Sequence, residues 1–340
     1  MPKASEDPSI LNFCARSMLP QILHLRKTAQ NVLRRKNTED IHDMRVASRR
    51  IRTCLSVFAG ALPNKKIKPW VRDIKAVTQS YGRVRDLDVQ IDLLNTLYKN
   101  PIEKTLLPGI RRVKLRLKQK RAKQEAETRA LTASILESPT LLEMQDWAET
   151  TLALPINETE KSIKLFQIAY TQIQSRLDEF LFFEVFIFDP VRINELHQMR
   201  IAAKHLRYTL EIFSDLYSSK TDFALDIARK SQQILGEIHD ADVWSLYLPR
   251  FLSKEETRVT QFFGYKGPVN RLKPGIDFLL ENRKHERDRL YKQYLQEWKK
   301  WKLKETWLNL RKIIFLISLE NQNNNKTISM ENHETPQITN

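Results

Sequence analysis

Two stretches of this chain set a histidine and a series of cations at matching intervals. His42-Asp43-Met44-Arg45-Val46-Ala47-Ser48-Arg49-Arg50-Ile51-Arg52 is answered later by His197-Gln198-Met199-Arg200-Ile201-Ala202-Ala203-Lys204-His205-Leu206-Arg207. A second pair of blocks keeps the same separation to within one residue: Gly82-x-x-Arg85-Asp86-x-Asp88-Val89, then Gly236-x-x-His239-Asp240-x-Asp242-Val243. Two matched blocks in one register read as a tandem duplication. Guanidinium groups stay charged and grip two oxygens of a phosphate or carboxylate at once, and an ammonium acts as a point charge on the same ligands. The chemistry these residues suit is the binding of an anion.

The element that must hold them is a helix. Turning 100° per residue from His42, Arg45, Arg49 and Arg52 fall at about 300°, 340° and 280°, within an arc of roughly 80°. Met44, Ala47, Ile51, Cys54, Leu55 and Phe58 collect on the opposite side. His197, Arg200, Lys204 and Arg207 stand against Met199, Ala202, Leu206, Leu210 and Phe213 in the same way. Arg50 and His205 lie off the main stripe. Like charges at i,i+3 and i,i+4 repel by a few tenths of a kcal/mol per pair, and neither stripe contains an acidic residue to offset this. An anionic ligand would complete such a cluster.

The carboxylates read differently. Asp86/Asp88 and Asp240/Asp242 are spaced i,i+2, so on a helix one faces the basic stripe and the other a neighbouring helix. Their expected role, with Arg85 and His239, is to support and orient the stripe.

Composition agrees with a polyanion as partner. The 340 residues carry a formal charge of +16, with only 7 glycines. Helical spacing of Leu, Lys, Arg, Glu and Gln runs almost throughout, and no alternating β-branched run is bounded by turn signals. The fold class is all-α. Cys14 and Cys54 both fall on predicted helices and fit a reducing compartment. Asp7, Pro8 and Asn12 interrupt any signal-peptide apolar region. The most apolar stretches, 180–188 and 313–319, are far shorter than the roughly 20 residues of a membrane span. A cytoplasmic protein without membrane contact is expected.

Along the chain, residues 1–8 read as a loose end. Helices are expected over 9–36, 39–60, 67–98 and 110–135, with a shorter one from Ser138-Pro139 to 153. Asn100-Pro101 and Pro108-Gly109 bracket a loop. Pro155-Ile156-Asn157 marks the boundary between a first half, 9–156, and a second, 157–319. The second half repeats the order: 158–183, a motif helix from about 190, 220–250, a loop over 262–274, 275–303, and a shorter helix to about 319. The Asn-rich tail, 320–340, is expected to be disordered. The charged helix at 110–135 reads as a solvated surface helix, and Trp298 and Trp301 as core packing.

The pattern His-x-x-Arg-[Val/Ile]-Ala-x-[Arg/Lys]-x-[Leu/Ile]-Arg, present twice and each time followed by Gly-x-x-x-Asp-x-Asp, resembles the CHAD family of α-helical polyphosphate-binding proteins. The resemblance covers roughly 9–305. It implies two bundles of the four-helix type, related by a pseudo-two-fold, with both stripes lining a shared central surface. It also implies binding of inorganic polyphosphate, often at polyphosphate granules, by His42, Arg45, Arg49 and Arg52 together with His197, Arg200, Lys204 and Arg207. Many relatives carry a fused triphosphate-tunnel catalytic domain, for which there is no room here. A non-enzymatic binder without cofactor or metal is the implied form.

Two other readings use the same residues. His42-Asp43 and His239-Asp240 could hold a divalent metal, as in His-Asp phosphohydrolases. Neither pair survives the duplication, since Asp43 becomes Gln198 and His239 answers to Arg85, and a cation-rich face opposes a metal ion. Nucleic acid is a polyanion too, but the stripes lack the Asn, Gln and aromatic residues that read or stack bases. Weak, non-specific nucleic-acid binding is expected.

Overall fold

The apolar faces of both motif helices turn inward. Met44, Ala47, Ile51, Cys54, Leu55 and Phe58, and likewise Met199, Ala202, Leu206, Leu210 and Phe213, are at most 2% exposed. Each buried Leu, Ile or Phe contributes about 1.5–3 kcal/mol, far more than the repulsion along the stripe on the opposite face. The helices are therefore held by their backs, which leaves the basic side to be shaped by its neighbours.

The computed structural model describes residues 7–34, 38–98, 101–155 and 163–331. These form α1 (Pro8–Arg34), α2 (Thr38–Val57), α3 (Asn64–Leu97), α4 (Leu107–Leu136), α5 (Pro139–Ala153), α6 (Ile163–Leu181), α7 (Ile193–Phe213), α8 (Asp222–Phe263), α9 (Lys273–Leu303) and α10 (Thr306–Glu331), with three short 3₁₀ turns between. No strand occurs among the described residues, and no helix of theirs is long and apolar enough to cross a membrane. In the first half α2 packs between α1 and α3, α3 lies on α4, and α5 closes on α1. The same neighbours recur in the second half as α7 between α6 and α8, α8 on α9, and α10 on α6.

The halves meet at two principal places. Under the motif helices, Phe58, just past the end of α2, and Phe213 of α7 approach edge-on with ring centroids 5.9 Å apart, and Phe13 of α1 stacks on Phe213 at the same distance. The core around them runs through α1, α2, α6 and α7 without a break between halves. A second core joins Leu94, Ile110 and Val113 to Trp244, Leu248 and Ile276. It is reached where α4 and α9 begin, each with the sequence Pro-Gly-Ile. A Cβ on Gly109 would overlap the Leu272 carbonyl, and one on Gly275 the Leu106 carbonyl, so only glycine lets these two helix starts cross.

Several boundaries differ from the sequence reading. Pro108-Gly109 opens α4 instead of bracketing a loop, because a first-turn proline lacks only an N–H that the helix would leave unused. Helix α8 continues past 250, through Pro249, and stops at Gly264, whose φ of 76° ends it with its N–H on the Thr260 carbonyl at 2.9 Å. The tail expected to be disordered from 320 remains helical to Glu331, since no glycine or proline interrupts Thr306–Glu331. The start of the loose N-terminal end (1–6), most of the half-to-half boundary (156–162) and the last stretch of the tail (332–340) lie outside the described residues.

A candidate anion-binding cleft between the motif helices

Helices α2 and α7 come from different halves and pack against each other. This joins the two stripes. His42, Arg45, Arg49, Arg52, His197, Arg200, Lys204 and Arg207 are all half-buried. The Arg49 guanidinium crosses to the second half and lies 4.5 Å above the Tyr208 ring, a favourable cation–π placement. The Arg207 guanidinium approaches the same ring at 5.3 Å.

The crowding has an electrostatic consequence. Burial, followed by the charges of Arg200, Arg49, Arg52 and Arg45, pushes the Lys204 ammonium down to about 8. Burial lowers Arg49 to about 10, with Arg45 and Arg207 adding to the shift against the opposite pull of Tyr208 and Glu211. Among the described residues, Arg45, Arg49, Arg52, Arg200 and Lys204 form no ion pair, whereas Arg50 and Arg207 do. Buried nitrogens without a hydrogen-bond partner gather here: Nε of Arg49 and Arg200, and Nδ1 of His42 and His197. Unsatisfied donors in a net-positive site are what an anion would serve.

Beside the stripes opens a cleft of 590 Å³, walled by His42 and Arg45 from α2, Arg85, Asp86 and Gln90 from α3, Arg200 from α7, and His239 and Asp240 from α8. Asp86 and Asp240 both feel the charges of Arg45 and Arg200. Desolvation nevertheless raises both carboxyls above the usual range, although both keep solvent contact. The His197 and His239 rings lie 4.1 Å apart. Burial, and then charged neighbours, lower the imidazoles of His42 and His239 in the cleft and of His197 beside it. Arg85 acts on His42, Arg200 and Lys204 on His197, and His197 and Arg200 on His239, which falls to about 4. These histidines are neutral near pH 7 until a ligand stabilises their charge, so their titration lies lower than an ordinary imidazole implies.

Gly82 and Gly236 face the arginines, and a Cβ at either would make only an ordinary contact with them. A Cβ at Gly82 would stand 4.0 Å from Arg45 Nε, and one at Gly236 3.5 Å from Arg200 Nε. Each bare turn of α3 or α8 is the surface across which the opposing guanidinium lies.

The remaining sequence-derived residues are placed elsewhere. Asp88 pairs with Arg121 of α4 at 2.8 Å, and Asp242 with Arg287 of α9 at 2.5 Å, so both tie neighbouring helices together. His205 turns to Glu179 of α6 at 3.0 Å. Arg207 is held by Glu211 at 2.9 Å, with Arg229 at 3.5 Å and Arg50 at 3.9 Å from the same carboxylate. The stripe is therefore not wholly without a local counter-ion, because Glu211 stands one turn past Arg207.

Arg83, Gln90, Lys120 and Gln124 also wall the cleft, and sequence reasoning missed them. Arg83 and Gln90 sit one turn to either side of Asp86, a legible signal. Lys120 and Gln124 belong to the helix read as plain solvated surface, where nothing local distinguishes one charged position from another. Glu39, His42 and Asp43 bring ligand atoms within 4.8 Å of one another and could hold a divalent cation. Gln198 leaves the second copy without the corresponding Asp.

Known proteins share this architecture. The sequence model of one family, the CHAD domain, matches residues 16–249. The crystal structure of the CHAD domain from the plant Ricinus communis aligns over 84% of this chain and 86% of its own, with a TM-score of 0.50 and 21% identity. PptA from Streptomyces chartreusis aligns over 85% and 99%, with a TM-score of 0.55 and 15% identity. These likenesses concern the fold. No curated protein matches the chain. The family match covers well over half of the sequence, including both motif helices and both Gly-x-x-x-Asp-x-Asp blocks: the chain belongs to the CHAD domain family.

Proposed function

We propose that this protein binds inorganic polyphosphate, without catalysis, on the joined stripes of α2 and α7. The observation that carries the reading is the gathering of Arg45, Arg49, Arg52, Arg200 and Lys204 from two halves into one half-buried face, where burial and then the neighbouring guanidiniums push Lys204 down to about 8. A polymer with roughly one negative charge per phosphate relieves that repulsion and accepts from the orphaned Nε groups. The association of the CHAD family with polyphosphate supports the same ligand. A cytoplasmic protein, recruited to polyphosphate granules through this face, follows from the proposal.

The test is polyphosphate binding by the wild type and by Arg45→Ala/Arg49→Ala/Arg200→Ala/Lys204→Ala across a salt series, with duplex DNA as competitor. The quadruple variant keeps its helical circular dichroism and loses at least about a hundredfold in affinity, together with much of the salt dependence, because each neutralised phosphate releases counter-ions. DNA competes poorly. Equal binding by variant and wild type would reject the stripe as the site. The rival metal-dependent phosphohydrolase reading rests on Glu39, His42 and Asp43. Phosphoester hydrolysis with added Mn²⁺, lost in His42→Ala, would favour it.

A further inference from the structure

The two stripes are near copies, but the walls beside them are not. Asp88–Arg121 and Asp242–Arg287 occupy the same place in the two halves and fix how α3 and α4 correspond to α8 and α9. In that register Arg83 answers to Glu237, Arg85 to His239, and Lys120 to Glu286. Three permanent positive charges in the first half thus correspond to two carboxylates and an imidazole that is neutral near pH 7.

The cleft follows the same division. In the first half it reaches out along α3 and α4 to Arg83, Lys120 and Gln124, and the buried Oε1 of Gln124 has no hydrogen-bond partner. From the second half it takes only residues near the crossing of the halves, and Glu237 and Glu286 lie outside its walls. Glu286 is held at 2.6 Å by Arg289, whose charge Glu237 also feels, and Arg283 stands near Glu286. That side of the molecule is self-neutralised. On the first-half side Arg83, Arg85 and Lys120 form no ion pair among the described residues, although Asp86 lies close enough to feel the charge of Arg85.

We infer that bound polyphosphate has a direction: it leaves the shared stripe through the first-half cleft, where Arg83, Arg85 and Lys120 form an additional phosphate-binding subsite, and Glu237 and Glu286 turn it away from the corresponding second-half exit. This rests on the polyphosphate reading above. Its physical content is that uncompensated positive charge holds the polymer on one side, while on the other Glu237 and Glu286 occupy the cations that would otherwise hold it.

The experiment compares tripolyphosphate with long-chain polyphosphate at fixed ionic strength and across a salt series. The proteins are the wild type, Arg83→Gln/Lys120→Gln, Glu237→Gln/Glu286→Gln, and a control, Lys65→Gln/Lys68→Gln. The control removes the same charge from the start of α3, about 22–27 Å along the helix from Arg83. Circular dichroism verifies each fold. The first-half pair weakens long-chain binding at least about tenfold, beyond the control, and lowers the salt slope by roughly one for each phosphate the variant no longer neutralises. Tripolyphosphate, short enough to stay on the stripe, changes by less than about threefold. The Glu237→Gln/Glu286→Gln pair strengthens long-chain binding. A first-half pair indistinguishable from the control, an equal loss for short and long chains, or no gain in the second-half pair would overturn the direction. A wild type that binds neither polymer would overturn the polyphosphate reading itself.

Discussion

Helices α2 and α7 carry the same motif, yet their basic faces differ in how firmly the charge is fixed. On α2 the stripe is wholly arginine, and Arg85 extends it from α3. On α7 a lysine replaces the middle arginine and falls to about 8, Arg207 is neutralised by Glu211, and His239 replaces Arg85 and falls to about 4. Apart from His42 the first half holds permanent charge, whereas the second half sets titrating groups, Lys204 and His239, beside Arg200. The spacing of the basic face is thus the same in both halves, while the charge that each half fixes near neutral pH differs.

The largest effects test what the halves still share. Asp88→Asn and Asp242→Asn each leave a half-buried arginine, Arg121 or Arg287, without its carboxylate, and breaking such a pair costs about 3–5 kcal/mol. Thermal or urea unfolding of both variants should show comparable losses while polyphosphate binding by the folded fraction persists. A loss confined to one variant would show that the two ion pairs are not equivalent.

The next contrast concerns binding. Arg45→Ala/Arg49→Ala and Arg200→Ala/Lys204→Ala should each weaken polyphosphate by about ten- to a hundredfold at pH 6. At pH 9 the first-half pair should remain as damaging, whereas the second-half pair should cost less, because Lys204 is already largely neutral in the free protein. Equal losses at both pH values, measured by titration calorimetry, would remove the distinction between fixed and titrating charge.

A smaller effect isolates His239. Its folded pKa lies below that of an ordinary imidazole, so binding a polyanion raises it and takes up a proton as pH falls from about 6.5 toward 4. Affinity should rise over that window. The fold loses stability over the same window, because the unfolded chain accepts the proton first. His239→Arg, which restores the first-half residue, should bind several-fold more tightly at pH 7 and show a flatter acid limb. An unchanged acid limb would assign the proton uptake to His42 or His197.

The smallest concerns Lys204 at the alkaline end. A polyanion favours the ammonium, so affinity should fall as pH rises through about 8. Between that pH and the ordinary lysine value the free fold gains stability, because the unfolded chain still holds the proton. Lys204→Arg should remove the alkaline fall and change affinity at pH 7 by less than about threefold.

The all-α class and the inward faces of the motif helices were legible in the residues alone, because helical periodicity is local and the buried faces of α2 and α7 are simply their apolar arcs. So was the division of labour within each Asp-x-Asp block, since i and i+2 cannot point the same way on a helix. A third repeat was present but unread: Pro108-Gly109-Ile110 and Pro274-Gly275-Ile276, where α4 and α9 cross. Which cations share a site was settled by folding. Arg49 on Tyr208, Lys204 among four arginines, and Lys120 and Gln124 in the cleft are contacts between distant segments, and a charged helix looks alike in sequence whether its face meets solvent or a neighbouring half. The neutralisation of Arg207 by Glu211 lies between the two: the i,i+4 spacing is local, but burial of that carboxylate among Arg50, Arg207 and Arg229 required both halves to be folded together.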